Sequence, residues 1–277
     1  MKLTQITSQT TSYIKNNIEY IIFFTLVLIL AILIARRSWE GFFTEALGIN
    51  QLDAIIYINL ENRTDRKDFL LKDLEALGTN MSKVHKISGV YMPKNGHKGC
   101  IQSHILALNM IKLNAPRWKR VLILEDDAEL TENPDKFNAI ISQSMSKLDE
   151  IDPNWNVIML ATAWKIIHED NIEKLSLEFI NDQGKKMPLA LERLKKATTS
   201  SAYIVKDTYV DEILSLFDTC NKNMEPEKLS MTEQKHEPWA LDQQWESLQA
   251  RDRWYCLNKD PIKQRDIWST ILTQSHG

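Results

Sequence analysis

The stretch Arg120–Leu130, RVLILEDDAEL, decides the fold. Four apolar residues, Val121 to Leu124, run directly into three consecutive acids, Glu125, Asp126 and Asp127. A short apolar run of this kind reads as a buried strand. Adjacent carboxylates raise one another's pKa unless something positive sits among them. The acids therefore either fan out into water or hold a cation.

Working outward, DAIIYINL (53–60) is a second buried, β-branched run. The segment NRTDRKDFLLKDLEALG reads as a helix. Thr64 is its N-cap, Asp65 lies in its first turn, and Leu70, Leu74 and Leu77 recur at helical spacing before Gly78. GCIQSHILALNMIKL predicts a helix from about Ile101, and DKFNAIISQSMSKL places Phe137, Ile140, Ile141, Met145 and Leu148 on one helical face. NVIMLAT and SAYIV supply two further strands. Strands alternating with helices predict a mostly parallel central sheet in an α/β domain. In such sheets ligands bind beyond the carboxyl ends of the strands. The acids lie at one such end and NRTDR at another.

Composition narrows the function. The chain has 277 residues and a net charge of -3, with its basic residues dispersed, which excludes an electrostatic footprint for nucleic acid. The cysteines, Cys100, Cys220 and Cys256, form neither a metal-like pair nor a disulfide framework. YIIFFTLVLILAILIA (20–35) carries no charge and is stopped by Arg36 and Arg37. It reads as a single membrane anchor, with the side of the membrane undetermined. The organisation expected is a tail (1–19), an anchor (20–37), a stem (38–51) and one globular domain (52–277).

Several polar clusters could serve a site, each with a plainer explanation. Three acids after a strand could ligate Mg2+ or Mn2+, which take oxygen ligands together with substrate phosphates, or could form a solvated turn. Arg63 and Arg66 suit phosphate recognition, or are solvated at a helix start. In GHKGCIQSH, Gly96 and Gly99 imply a backbone requirement, and the helix start favours an anion. His104 could equally be a hydrogen-bonded structural histidine, and Cys100 a small packed hydrophobe. KKATTSSAYIV either lines a pocket or enters the sheet. In EPWALDQQW, Asp242 lies between two tryptophans whose faces could stack on a sugar, or the segment is a packed helix. The charged stretch Trp164–Lys196 shapes an acceptor side or lid, or is a solvated surface insertion with a helix.

In combination, YINLENRTDR, GHKGCIQSHILAL, VLILEDDAEL, TTSSAYIV, ALDQQW and, more faintly, PIKQRDIWSTI resemble glycosyltransferase family 25, which includes lipopolysaccharide sugar transferases and collagen galactosyltransferases. The resemblance spans about residues 55 to 271. It implies a GT-A-like nucleotide-sugar transferase, with the acidic triplet in the place of the metal-binding element. It puts Asn59, Arg63, Asp65 and Arg66 near the nucleotide and matches Gly99, Cys100, Ser103 and His104 to a G-C-x-x-S-H element, with Gly99, Ser103 and His104 expected at the nucleotide sugar. Asp242 matches a late family aspartate. The sequence departs in having Thr198–Ser201 where a Gly-Thr pair is common, and Ser269-Thr270-Ile271 where the family carries an acid.

The expected activity is inverting transfer of a hexose, galactose or glucose, from a UDP-sugar to a glycan, glycolipid or protein hydroxyl. Asp127 and Glu125 are the metal-ligand candidates, with Glu125 and Asp126 also placed to contact the nucleotide sugar. Mn2+ is the expected ion, with Mg2+ as its substitute. Asp242 is either the catalytic base or a further metal ligand. The competing expectations are a membrane-tethered, non-catalytic sugar- or nucleotide-binding protein, and a metal-dependent phosphohydrolase, for which no second acidic motif completes a two-metal site.

Overall fold

The structure is a computed structural model that describes Tyr20 and residues 22–33, 47–225, 227 and 237–265. It comprises two compact units, the first ending at Ala46 and the second beginning at Leu47.

In the first unit, Tyr20 and residues 22–33 are helical, with their large apolar side chains exposed. Among the described residues no helix is long and apolar enough to cross a membrane. Twelve residues rise about 18 Å, against a hydrocarbon core of about 30 Å. The anchor expected over 20–37 is therefore not found as a described helix. Ile21 and residues 34–37 lie outside the described residues, as do the tail and residues 38–46 of the expected stem.

The second unit starts inside the expected stem. Gly48–Gln51 forms a 3-10 turn, and Ile49 and Leu52 are fully buried. The Gly48 amide donates to Ser142 Oγ at 3.1 Å and the Ile49 amide to Asn138 Oδ1 at 2.9 Å, which seals the segment against a helix.

Ten strands follow among the described residues: β1 (Ala54–Asn59), β2 (Val84–Ser88), β3 (Arg120–Glu125), β4 (Ala128–Leu130), β5 (Val157–Met159), β6 (Ala163–Ile180), β7 (Lys186–Thr198), β8 (Ala202–Lys206), β9 (Trp254–Leu257) and β10 (Ile262–Gln264). The helices are α1 (Thr64–Ala76), α2 (Gly96–Asn114), α3 (Pro134–Ile151), α4 (Val210–Asn223), α5 (Leu241–Gln244) and α6 (Glu246–Arg251). Eight strands form one sheet in the order β2-β1-β3-β8-β5-β9-β7-β6, and β4 pairs with β10 beside it. The expected mostly parallel sheet holds for strand direction, since only β7 and β8 oppose the other six. Every contact of β8 and β7 is antiparallel, so the sheet is mixed in its pairing.

Alternation along the strands builds two cores. Ile56, Ile58, Val121 and Ile123 face one side, where Ile101, Leu108 and Ile111 of α2 and Ile213 and Phe217 of α4 cover them. Ile55, Tyr57, Leu122 and Leu124 face the other, against Leu70 and Leu74 of α1 and Phe137, Ile141 and Met145 of α3. Each fully buried Leu or Ile contributes about 1.5–3 kcal/mol. The result is a three-layer α/β/α domain.

Three local readings are corrected. Thr64 is the first helical residue of α1; the cap position belongs to Arg63, which makes no side-chain cap bond. The helix expected from about Ile101 begins at Gly96, because the Asn95 side chain accepts from the Lys98 amide at 3.2 Å and caps it. The Trp164–Lys196 stretch is no helical insertion but most of a long β6–β7 hairpin, closed at a turn with Gly184 at φ 73°.

Candidate active site

The carboxyl ends of β1 and β3 meet the start of α2 and the short α5 around a cavity of about 280 Å³. Its walls include Arg66, Ser103, His104, Glu125, Asp126, Asp127, Ser200 and Asp242.

The acidic triplet is neither a solvated turn nor a single cluster, because each acid has its own surroundings. Glu125 ends β3, and its amide donates to Ser201 O at 2.8 Å. Its Oε1 lies 3.3 Å from His104 Nε2 and accepts from the Ser200 hydroxyl. Burial alone would push the Glu125 carboxyl up, but His104, Ser200 and Arg66 together hold it below the usual carboxylate range. Asp126 turns toward α1, accepting from Asn59 Nδ2 at 2.8 Å and from Arg66 at 2.9 Å. Burial still keeps its carboxyl raised.

Asp127 is the least compensated. Its Oδ2 sits 3.3 Å from the Arg66 guanidinium, while its buried Oδ1 has no hydrogen-bond partner among the described residues. Burial, then the neighbouring Glu125 charge, pushes its carboxyl up to about 7. Its backbone is fixed where the Arg265 amide donates to its carbonyl at 2.6 Å.

Across the cavity, α5 presents Asp242. The Thr199 amide donates to Asp242 Oδ2 at 3.0 Å. Burial raises this carboxyl, and the Thr199 amide and the charge of His97 oppose that rise. Thr199 holds φ 76°, a left-handed conformation that a β-branched residue rarely adopts.

On α2, Ser103 accepts from the Val90 amide at 2.8 Å and donates to Gly99 O at 2.7 Å. Gly99 is a packing requirement, since an added Cβ would lie 2.4 Å from Val90 O. His104 is fully buried, with Nδ1 3.0 Å from the Tyr203 hydroxyl. Cys100, His104 and Glu125 bring potential ligand atoms within 4.8 Å of one another. Burial and Glu125, however, push the thiol well above its ordinary value, which leaves Cys100 a protonated packing group.

The fold thus brings together Arg66, Ser103, His104, the three acids and Asp242. Asn59 and Gly99 support them from behind. Arg63 and Asp65 do not line the cavity; they pair with each other at 3.0 Å, with Asp65 exposed. Trp245 is no sugar platform, being fully buried with its Nε1 donating to Ala197 O at 3.1 Å. Tyr203 and His97 do not stand out in the sequence, and residue type leaves Thr199 and Ser200 open between pocket and strand. A buried tyrosine hydroxyl needs a partner, which was the available signal for Tyr203; His97 had none.

Residues 85–229 match the family described as Glycosyltransferase family 25 (LPS biosynthesis protein). This defines the class as a glycosyltransferase, with the acid-lined cavity partly within the matched span. The chain belongs to glycosyltransferase family 25. No curated protein matches it. Among solved structures, a glycosyltransferase involved in the glycosylation of the major capsid of PBCV-1 aligns at 13% identity and TM-score 0.36, covering 61% of this chain and 67% of that one. A197 from STIV aligns at 10% identity and TM-score 0.34, covering 76% and 82%. A 4-diphosphocytidyl-2C-methyl-D-erythritol synthase from Anaerococcus prevotii DSM 20548 aligns at 10% identity and TM-score 0.36, covering 79% and 78%. The assignment rests on the family match.

Proposed function

We propose that this chain is a GT-A-like, inverting hexosyltransferase that uses a UDP-sugar donor. The observation that carries the reading is the pairing of Asp127 with Asp242 across one cavity, the first with a buried oxygen that has no partner among the described residues and the second held by a strained backbone amide.

The residues fit a hard divalent cation. Asp127 Oδ1 has no hydrogen-bond partner among the described residues, and burial, then the charge of Glu125, raises the carboxyl. Asp127 and Glu125 would hold Mn2+ or Mg2+, which when bound supplies charge neutralisation for a leaving diphosphate. Arg66 is tied to Asp126 and Asp127 and keeps that edge from collapsing through carboxylate repulsion. His104, held by Tyr203 and Glu125, fixes the direction of the Glu125 carboxylate.

In the transfer, the acceptor oxygen bonds to the anomeric carbon as that carbon's bond to the UDP oxygen breaks. The electron pair leaves with UDP, and the acceptor proton passes to Asp242. A buried carboxylate with a raised pKa suits that role, because a base works best with a pKa near the working pH. The apolar side chains exposed on the helix at 22–33 support membrane attachment as a separate proposal. Carbonate extraction of the full chain tests it, and release into the soluble fraction would reject it.

The catalytic reading is tested by UDP release from a panel of UDP-sugars, with and without Mn2+. We expect metal-dependent release from one donor, lowered at least ~100-fold by Asp127→Asn, which is about 2.7 kcal/mol. Near-normal release by that variant overturns the assignment of Asp127. UDP binding without turnover toward any acceptor returns the non-catalytic alternative.

A further inference from the structure

A second cavity, about 450 Å³, opens beside the first between the base of the β6–β7 hairpin and residues 258–264. Thr199 and Gln264 line both cavities. We propose that this second cavity is the acceptor subsite and takes an anionic saccharide, its sugar face on Trp164 and its acid group at Lys259 and Lys263. The word acceptor rests on the donor reading above; the sugar site does not.

Backbone strain is the first support. Among the described residues only Trp164, at φ 52°, and Thr199 are left-handed without being glycine, and both line this cavity. Such conformations are disfavoured and persist where the surroundings impose them, most often at ligand sites. For Trp164 packing is no compensation, since the residue is 85% exposed. The strain holds a bare indole at the cavity wall, where a sugar ring can stack.

The polar groups supply the second support. Asp260 accepts from the amide and hydroxyl of Thr162, both at 2.7 Å, through Oδ2 alone. Its Oδ1 is buried with no partner among the described residues. An unsatisfied buried carboxylate oxygen calls for a donor, and a sugar hydroxyl supplies one.

Charge gives the ligand class. Lys165 is engaged by Leu257 O at 2.6 Å and Glu192 at 3.2 Å. Lys263, itself exposed, reaches the partly buried Glu129 at 3.3 Å, and Lys259 is exposed, with its charge felt by Asp260. Both lysine side chains reach solvent at the cavity wall, where a phosphate or carboxylate can meet them. Placement gives the role. Thr199, the shared wall, holds Asp242 by its amide, so an acceptor in the second cavity lies one residue from the proposed base.

The test is ligand-observed saturation-transfer NMR on the full chain with glucose 6-phosphate, glucuronate and methyl glucoside, each with and without saturating UDP. We expect the two anionic sugars to bind in the presence of UDP. Trp164→Ala and the pair Lys259→Ala with Lys263→Ala should each weaken them by about tenfold. Binding of one acid alone also supports the site and identifies the acid group as phosphate or carboxylate. Equal binding of methyl glucoside, unmoved by the lysine changes, overturns the anionic class. Displacement by UDP overturns a separate subsite, and absence of binding by all three sugars overturns the site. If UDP fails to bind while the acids bind as described, the donor reading and the acceptor role fall, and the anionic-sugar site stands.

Discussion

Substituting Asp127→Asn should stabilise the metal-free protein at alkaline pH while it removes turnover. The carboxyl is pushed from 3.8 to about 7 by burial and by Glu125. The folded state therefore binds this proton more tightly than the unfolded state does. That advantage is complete below about pH 4 and is lost as the pH rises to about 7. At ~1.4 kcal/mol per pH unit, the ionised group destabilises the fold at pH 8 by up to about 4 kcal/mol. Asparagine keeps the shape and the acceptor oxygen facing Arg66 without the charge. Urea melts in chelator should show the variant more stable than the wild type at pH 8, with the gain falling below ~1 kcal/mol by pH 4. Adding Mn2+ should raise the wild-type midpoint and leave the variant unmoved. A variant less stable than wild type at pH 8, or a gain equal at both pH values, refutes this account of the triplet.

The other expectations are narrower. Asp242→Asn should lower turnover by about 10²- to 10⁴-fold; unchanged Mn2+ affinity marks Asp242 as the base, and lost affinity marks it as a metal ligand, both read by titration beside the rate. Gly99→Ala drives a Cβ against Val90 O and should destabilise by about 1–3 kcal/mol in urea melts; a neutral result would mean that the loop before α2 yields freely. Trp164→Gly relieves the left-handed strain and should raise stability by about 1 kcal/mol while weakening anionic-sugar binding about tenfold, so loss of both stability and binding would point to an ordinary structural role.

Much of the architecture could be read from the chain because burial writes itself in composition. β1 and β3 are apolar runs flanked by polar residues, and both are nearly wholly buried. Direction is not encoded that way: the SAYIV segment reads as a strand, but nothing in it says that β8 opposes its neighbours. The β6–β7 hairpin was hidden because its register slips four times, which destroys the two-residue alternation that marks a strand. In the site, the acids and His104 stood out by residue type, and Asp242 by the family pattern. Arg63 lies outside the cavity lining and pairs with Asp65 two residues on, a local contact that residue order alone does not announce. Thr199 carries its role in a backbone angle, and Trp164 in its exposure, and neither leaves a trace in residue order.

Those register slips have another consequence. β6 is the outermost strand of the sheet, and an open edge with exposed Ile166, Ile172 and Ile180 would ordinarily invite a strand from another molecule. Irregularities between Ala163 and Ile166, Ile166 and Ile167, Ile167 and Ile172, and Lys174 and Glu178 interrupt the ladder. No long uniform row of amides and carbonyls is left for an incoming chain to read. The same irregularity that obscured the hairpin guards the sheet against fibre-like growth from its longest strand.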